Sequence, residues 1–228
     1  MKQLLSNLLG STVSATDGTA GVVRDFYFDD QHWILRSLVC ERVADGEKQS
    51  FLVPSTYFRP REWDLPVFSV GLTREQIATC PDPESDRPVS KQKAYALAES
   101  IGWPEAGGIG SPGFLFQYSE KSGSEKPGDP HLRSFRVVSR YRVASDQKVV
   151  GRIKDFVVDD CGWGIDGLLI RVGPWYHRNL VMVSPHWAKE IHWAEGTIWT
   201  DTHLVDWHQA PAFSIRQRPG TSFTPGPA

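Results

Sequence analysis

Two stretches of the chain, 130 positions apart, spell nearly the same hairpin. "GVVRDFYFDDQHWILRSLVCE" runs from Gly21 to Glu41, and "GRIKDFVVDDCGWGIDGLLIRVG" runs from Gly151 to Gly173. Gly21 falls on Gly151, Asp25 on Asp155, Phe26 on Phe156, Asp29-Asp30 on Asp159-Asp160, Trp33 on Trp163 and Leu38 on Leu168, without a gap. Upstream, Val13 aligns with Val143. Downstream, "FLVPSTYF" aligns with "VMVSPHWA" after a one-residue slip that sets Pro54 against Pro185, and the register returns near Pro81 and Pro211. A match of this length at constant spacing points to internal duplication. Two copies are too few for a solenoid, so each is expected to close a core of its own.

Each copy reads as a β unit. In "VVRDFYFDD", Val23, Asp25, Tyr27 and Asp29 alternate with Arg24, Phe26, Phe28 and Asp30, so Phe26 and Phe28 share an apolar face. "IKDFVVDD" repeats the arrangement with Phe156 and Val158 inward. The Asp-Asp pairs suit a turn, because aspartate side chains accept hydrogen bonds from nearby backbone amides. "WILRSLVCER" and "WGIDGLLIRV" are the returning strands, and "SFLVP" and "NLVMVSP" are third strands stopped by proline. "VFSVGL" and "TIWTDT" are short closing strands. Many short strands separated by turn signals predict a small barrel in each copy. Helical signal inside the copies is weak, with a turn or two after Pro185.

Between the copies the texture changes. "PVSKQKAYALAES" offers Ser90 as an N-cap, followed by Ala94, Leu97, Ala98 and Ile101 at helical spacing. The glycine-, serine- and proline-rich stretch after it reads as a linker, with an apolar "FLFQY" expected to dock on a domain. The expected organisation is an all-β chain of two domains, residues 1–85 and 132–214. A linker over 86–131 carries one short helix near 90–102, and residues 215–228 form a flexible tail.

The order "DG..G.V.DFYFDD..W..R.LV", then "VP", then "VGLTREQIATCPDP", resembles the PRC-barrel family. The second copy carries the pattern as "SDQKVVGRIKDFVVDD.GWGIDGLLI". "DRPVSKQKAYALAESIGWP" is similar to the segment after the first barrel in stand-alone tandem PRC-barrel proteins of bacteria. The resemblance covers most of residues 1–215. It implies two small PRC-type β-barrels related by internal duplication and used as a protein-binding or assembly module. The family also contains the cytoplasmic domain of the photosynthetic reaction-centre H subunit and the C-terminal domain of a ribosome maturation factor. The resemblance carries no catalytic residue onto any position of this chain, and a non-enzymatic role is expected.

The residues themselves offer chemistry only loosely. Asp29-Asp30 and Asp159-Asp160 have the oxygen ligands for a metal ion or an acid–base pair, but no third ligand stands at an interpretable spacing. His177, His186, His192, His203 and His208 crowd the second copy. The six- and five-residue gaps within His186/His192 and His203/His208 are not those of a helical zinc site. "AGGIGSPG" (Ala106 to Gly113) lacks the lysine and strand-to-helix setting of a phosphate loop. Cys40, Cys80 and Cys161 form neither a disulfide framework nor a metal knuckle, which fits a reducing cytoplasm. No catalytic residue, metal or cofactor is expected. The N-terminus does not read as a signal peptide, and no run approaches a membrane span.

Six of the nine tryptophans crowd into the second half, more than one small barrel needs inside. Trp163, Trp175, Tyr176, Trp187, Trp193, Trp199 and Trp207 are the candidate interface, because aromatic side chains anchor binding surfaces. The expected partner is another protein or a second copy in a homodimer. A net charge of −2 argues against a nucleic-acid partner. An RNA- or ribosome-associated factor and a metal-dependent hydrolase are the alternatives.

Overall fold

The computed structural model describes residues 2–44, 46–59, 66–92, 128–145, 148–159, 161–173 and 179–200. The first half contains β1 (Lys2–Leu4), β2 (Thr12–Ala15), β3 (Gly18–Asp29), β4 (Ile34–Ala44), β5 (Glu47–Pro54) and β6 (Val67–Ser69), then helix α1 (Arg74–Ala78). The second half opens with β7 (Leu132–Ser134) and helix α2 (Phe135–Val138). It continues with β8 (Arg142–Ser145), β9 (Lys148–Asp159), β10 (Ile165–Val172), β11 (Asn179–Val183), β12 (Ala188–His192) and β13 (Thr197–Thr200). The described chain is thus mostly β, in two sheets. One runs β5-β4-β3-β2-β6 with β7 attached to β3, and the other runs β11-β10-β9-β8-β13-β12 with β1 attached to β9.

Strand pairing in the two sheets keeps a single offset. Leu38 sits between Phe26 and Val53, and Leu168 sits between Phe156 and Val183. Thr12 pairs in parallel with Val67 as Arg142 pairs with Thr197. Val53 and Val183 therefore occupy equivalent positions, and the expected slip of Pro54 against Pro185 does not occur. Pro54 ends β5, whereas Ser184 holds the equivalent place in the second half and Pro185 opens the 3-10 turn Pro185–Trp187. A proline is tolerated at the first position of such a turn, because that backbone amide has no partner to lose.

Register shifts interrupt simple alternation at more than one place in each long strand, and one of them in each strand shapes the junction. Arg24 is skipped between Val23 and Asp25 in the pairing with β4, and Lys154 is skipped between Ile153 and Asp155 in the pairing with β10. These bulges turn the strand, so Val23 and Phe26 both point into the core although alternation sets them on opposite faces. They also deliver Asp25 and Asp155 to the junction described below.

The halves exchange their first strands. β1 pairs with β9, setting Lys2 opposite Asp159 and Leu4 opposite Val157. β7 pairs with β3 in the same way, setting Leu132 opposite Asp29 and Ser134 opposite Tyr27. Residues 132–134 thus join the first sheet and residues 2–4 the second. Nor does each half close a separate core. One continuous buried cluster runs from Leu5 through Phe26, Phe68 and Val138 to Phe156 and Ile198. The physical reason is the traffic of side chains across the junction. Trp33 lies 6.3 Å from Phe156 in the other half, and Trp163 lies 5.1 Å from Phe58 and 5.2 Å from Phe68. Trp33 and Trp163 have φ of 52° and 57°, a left-handed conformation that costs an aromatic residue about 1–2 kcal/mol and is held by this packing. Their carbonyls accept hydrogen bonds from Ile165 (2.7 Å) and Leu35 (2.9 Å) of the opposite half.

Helical structure is brief. α1 is closed by a capping box, in which Thr73 accepts from the Gln76 amide and the Gln76 side chain accepts from Thr73. The helix expected near 90–102 begins earlier than Ser90. Residues 89–92 are helical and the Gln92 amide reaches the Pro88 carbonyl, so Ser90 lies within the first turn and not at the cap. The remainder of that helix, the linker from 93 to 127 with its AGGIGSPG and FLFQY segments, and the tail lie outside the described residues. No helix among the described residues is long and apolar enough to cross a membrane.

Candidate functional site

Two regions gather the polar and aromatic residues that the sequence singles out. The first is the junction between the halves. The bulged Asp25 accepts from the hydroxyl of Ser134 (2.5 Å), the amide of Arg136 (3.0 Å) and the amide of Phe26 (2.8 Å). Asp155 does the same across the junction, accepting from the hydroxyl and amide of Ser6 and from the amide of Phe156. Each carboxylate therefore clamps the short helical turn contributed by the other half. Burial pushes both carboxyls above the ordinary aspartate range, and the serine hydroxyls and backbone amides offset part of that rise.

The acidic pairs at the hairpin turns serve the turns. Asp29 accepts from the amides of Gln31 (2.8 Å) and His32 (2.9 Å) and meets the Arg36 guanidinium at 3.1 Å. Against the upward push of burial, these amides hold its carboxyl below the ordinary range. Asp159 accepts from Cys161 and Gly162 at 3.2 Å, and its carboxyl is likewise lowered against the push of burial. Asp30 is tied to His131 (2.8 Å) and Arg133 (2.5 Å), which anchors the exchanged β7. Asp160 lies outside the described residues. Among the histidines, His186 is exposed and His192 pairs with Glu190 at 2.8 Å, while His177, His203 and His208 lie outside the described residues. Among the described residues no group of three or more His, Cys, Asp or Glu is arranged to hold a metal ion.

The second region is the outer face of the second sheet, where the aromatic candidates divide. Trp163 faces inward and is buried in the shared core, because its positive φ turns the ring onto Phe58 and Phe68. Trp187, Trp193 and Trp199 are half-buried, and Trp175, Tyr176 and Trp207 lie outside the described residues. Trp199 faces outward because Ile198 beside it points into the core. It lines an open groove of about 440 Å³ with Arg142, Ala144 and Val149, rimmed by Ala194, Glu195 and Thr197. Sequence reasoning missed the clamp at Asp25 and Asp155. Its only trace is their place in the repeat, since the serines they bind are more than a hundred residues away. No family model matches the chain, and no curated protein matches it.

Proposed function

We propose that the chain is a non-enzymatic assembly module made of two PRC-type barrels that arose by duplication and are clasped together by exchanged strands. The observation that carries this reading is the use made of the repeated acids. Asp25 and Asp155 clamp the opposite half, and Asp29 and Asp159 brace turns, so the groups best suited to acid–base or metal chemistry are committed to architecture. The single register offset supports the duplication, and the resemblance of the hairpin motifs supports the family.

Self-association completes the proposal. The half-buried Trp193, together with the part of Trp187 that does not rest on the core, supplies apolar anchors of the kind that dominate interfaces. Among the described residues one sheet ends at β5 and β6 and the other at β11 and β12, and terminal strands pair readily with a second copy. A closed two-fold dimer is the commonest outcome of such contacts. Light scattering on size-separated protein at micromolar concentration tests this, with a mass of about twice the 25.6 kDa chain expected. A single-chain mass across the whole concentration range overturns self-association.

A further inference from the structure

Strand register brings three arginines that are distant in sequence into one row. Arg142 of β8 stands directly opposite Arg152 of β9, and Arg152 stands directly opposite Arg171 of β10. Directly paired residues project from the same face of a sheet, with neighbouring strands about 4.8 Å apart. Here that face is the outer one, because Val143, Ile153 and Ile170 beside them point into the core. Arg142 and Arg152 are exposed and Arg171 is half-buried, and none of the three has an ion-pair partner among the described residues. Like charges directly opposite one another destabilise a sheet, so the row calls for an anionic occupant.

The equivalent row in the first sheet differs at every position. Thr12 pairs with Val22 and Val22 with Glu41, and Glu41 is neutralised by Arg24 at 2.7 Å. The same scaffold therefore carries a cationic strip on one half only, and net charge over the whole chain conceals it. Arg142 also belongs to the groove of Trp199, which joins an aromatic ring and the exposed Val149 to the end of the strip.

We propose that this face binds single-stranded nucleic acid, with phosphates along Arg142, Arg152 and Arg171 and an unpaired base stacked against Trp199. A sheet face offering arginines beside an aromatic side chain matches how single strands are held, by charge along the backbone and stacking of exposed bases. A duplex keeps its bases stacked inside, which would leave Trp199 no unpaired base to stack against. An acidic peptide satisfies the arginines but leaves the aromatic groove without a role.

Anisotropy of fluorescein-labelled oligouridylate and oligothymidylate with the full chain tests the proposal. Both oligonucleotides are expected to bind, with affinity falling with salt at a log–log slope of about −2, the value for three phosphates neutralised on a single strand. Arg152→Glu is expected to weaken binding at least about tenfold and Trp199→Ala at least about fivefold, with Trp199→Phe close to the parent. Arg42→Glu, on the hairpin of the first sheet, is expected to leave binding unchanged. The proposal is overturned by absence of binding at low salt, by an Arg152→Glu protein that binds like the parent, or by equal loss in Arg42→Glu. Polyglutamate binding as tightly as the oligonucleotides overturns it too, and reassigns the strip to acidic protein segments.

Discussion

Replacing Phe156 with alanine is expected to weaken both halves at once. Its side chain is completely buried, and its ring lies 5.1 Å from Phe135, 5.2 Å from Phe28 and 6.3 Å from Trp33. Phe28 and Trp33 belong to the other half, so the ring fills the seam as well as its own sheet. Truncating a core phenylalanine costs about 3–5 kcal/mol, and loss of favourable ring pairs places this site toward the upper end, at about 4–5 kcal/mol. That is a large share of the roughly 5–15 kcal/mol by which a domain is stable. With a urea slope of about 2 kcal/mol/M, the unfolding midpoint should fall by about 2 M. Far-UV circular dichroism and tryptophan fluorescence, followed together through a urea titration, should move in one coincident transition. A midpoint shift below about 0.5 M, or a second-half transition that separates from an unshifted first-half transition, refutes the argument for a shared core.

Gly21 and Gly151 lie where adjacent strands approach too closely for a side chain. A Cβ on Gly21 would stand 2.6 Å from the Glu41 carbonyl oxygen, and one on Gly151 would strike the Arg171 carbonyl oxygen. Gly151→Ala should cost about 1–3 kcal/mol and lower the thermal midpoint by several degrees, while Gly162→Ala, which meets nothing within 4 Å, should leave it in place. Equal midpoints for the two variants would contradict the close approach. The buried Asp25 and Asp155 bind protons more tightly folded than unfolded, so on their account stability falls as pH rises from 3.8 through their raised folded values. Asp25→Asn with Asp155→Asn should remove that fall, so the variant gains on the parent in urea titrations as pH goes from about 4 to 7. A constant difference between the two proteins over that range disproves the assignment.

The inward positions of the hairpins are legible in the sequence, because Phe26, Leu38, Phe156 and Leu168 sit in alternating runs bounded by turn residues. The Asx turns at Asp29 and Asp159 are equally legible, since the bonds that make them are local. The exchanged strands are not. Lys2–Leu4 and Leu132–Ser134 are three residues each, too short to show a period, and their partners are chosen by the tertiary arrangement. The bulges at Arg24 and Lys154 carry no glycine to mark them. The left-handed Trp33 and Trp163 run against local preference and are set by packing. α1 had a readable signal in its Thr73–Gln76 box, but only Ile77 among its residues is buried, which leaves almost no apolar stripe. The arginine row exists only through register, so no reading of neighbours along the chain reveals it.

Exchange of the first strands has a consequence during synthesis. When β6 leaves the ribosome, the first sheet has all its own strands but lacks β7, whose place along β3 between Tyr27 and Asp29 is unfilled. The segment that fills it, through Val138, is made roughly 70 residues later, a delay on the order of 3–14 s at typical rates of elongation. For that interval the growing chain presents an open strand edge with the Asp25 carboxylate beside it, both shaped to accept a Leu-Arg-Ser segment followed by a helical turn. Neighbouring chains on the same messenger carry that segment too, and a chain further along could supply it first. Dense translation thus favours linked chains over closed single ones, and slower initiation should raise the yield of correctly closed protein.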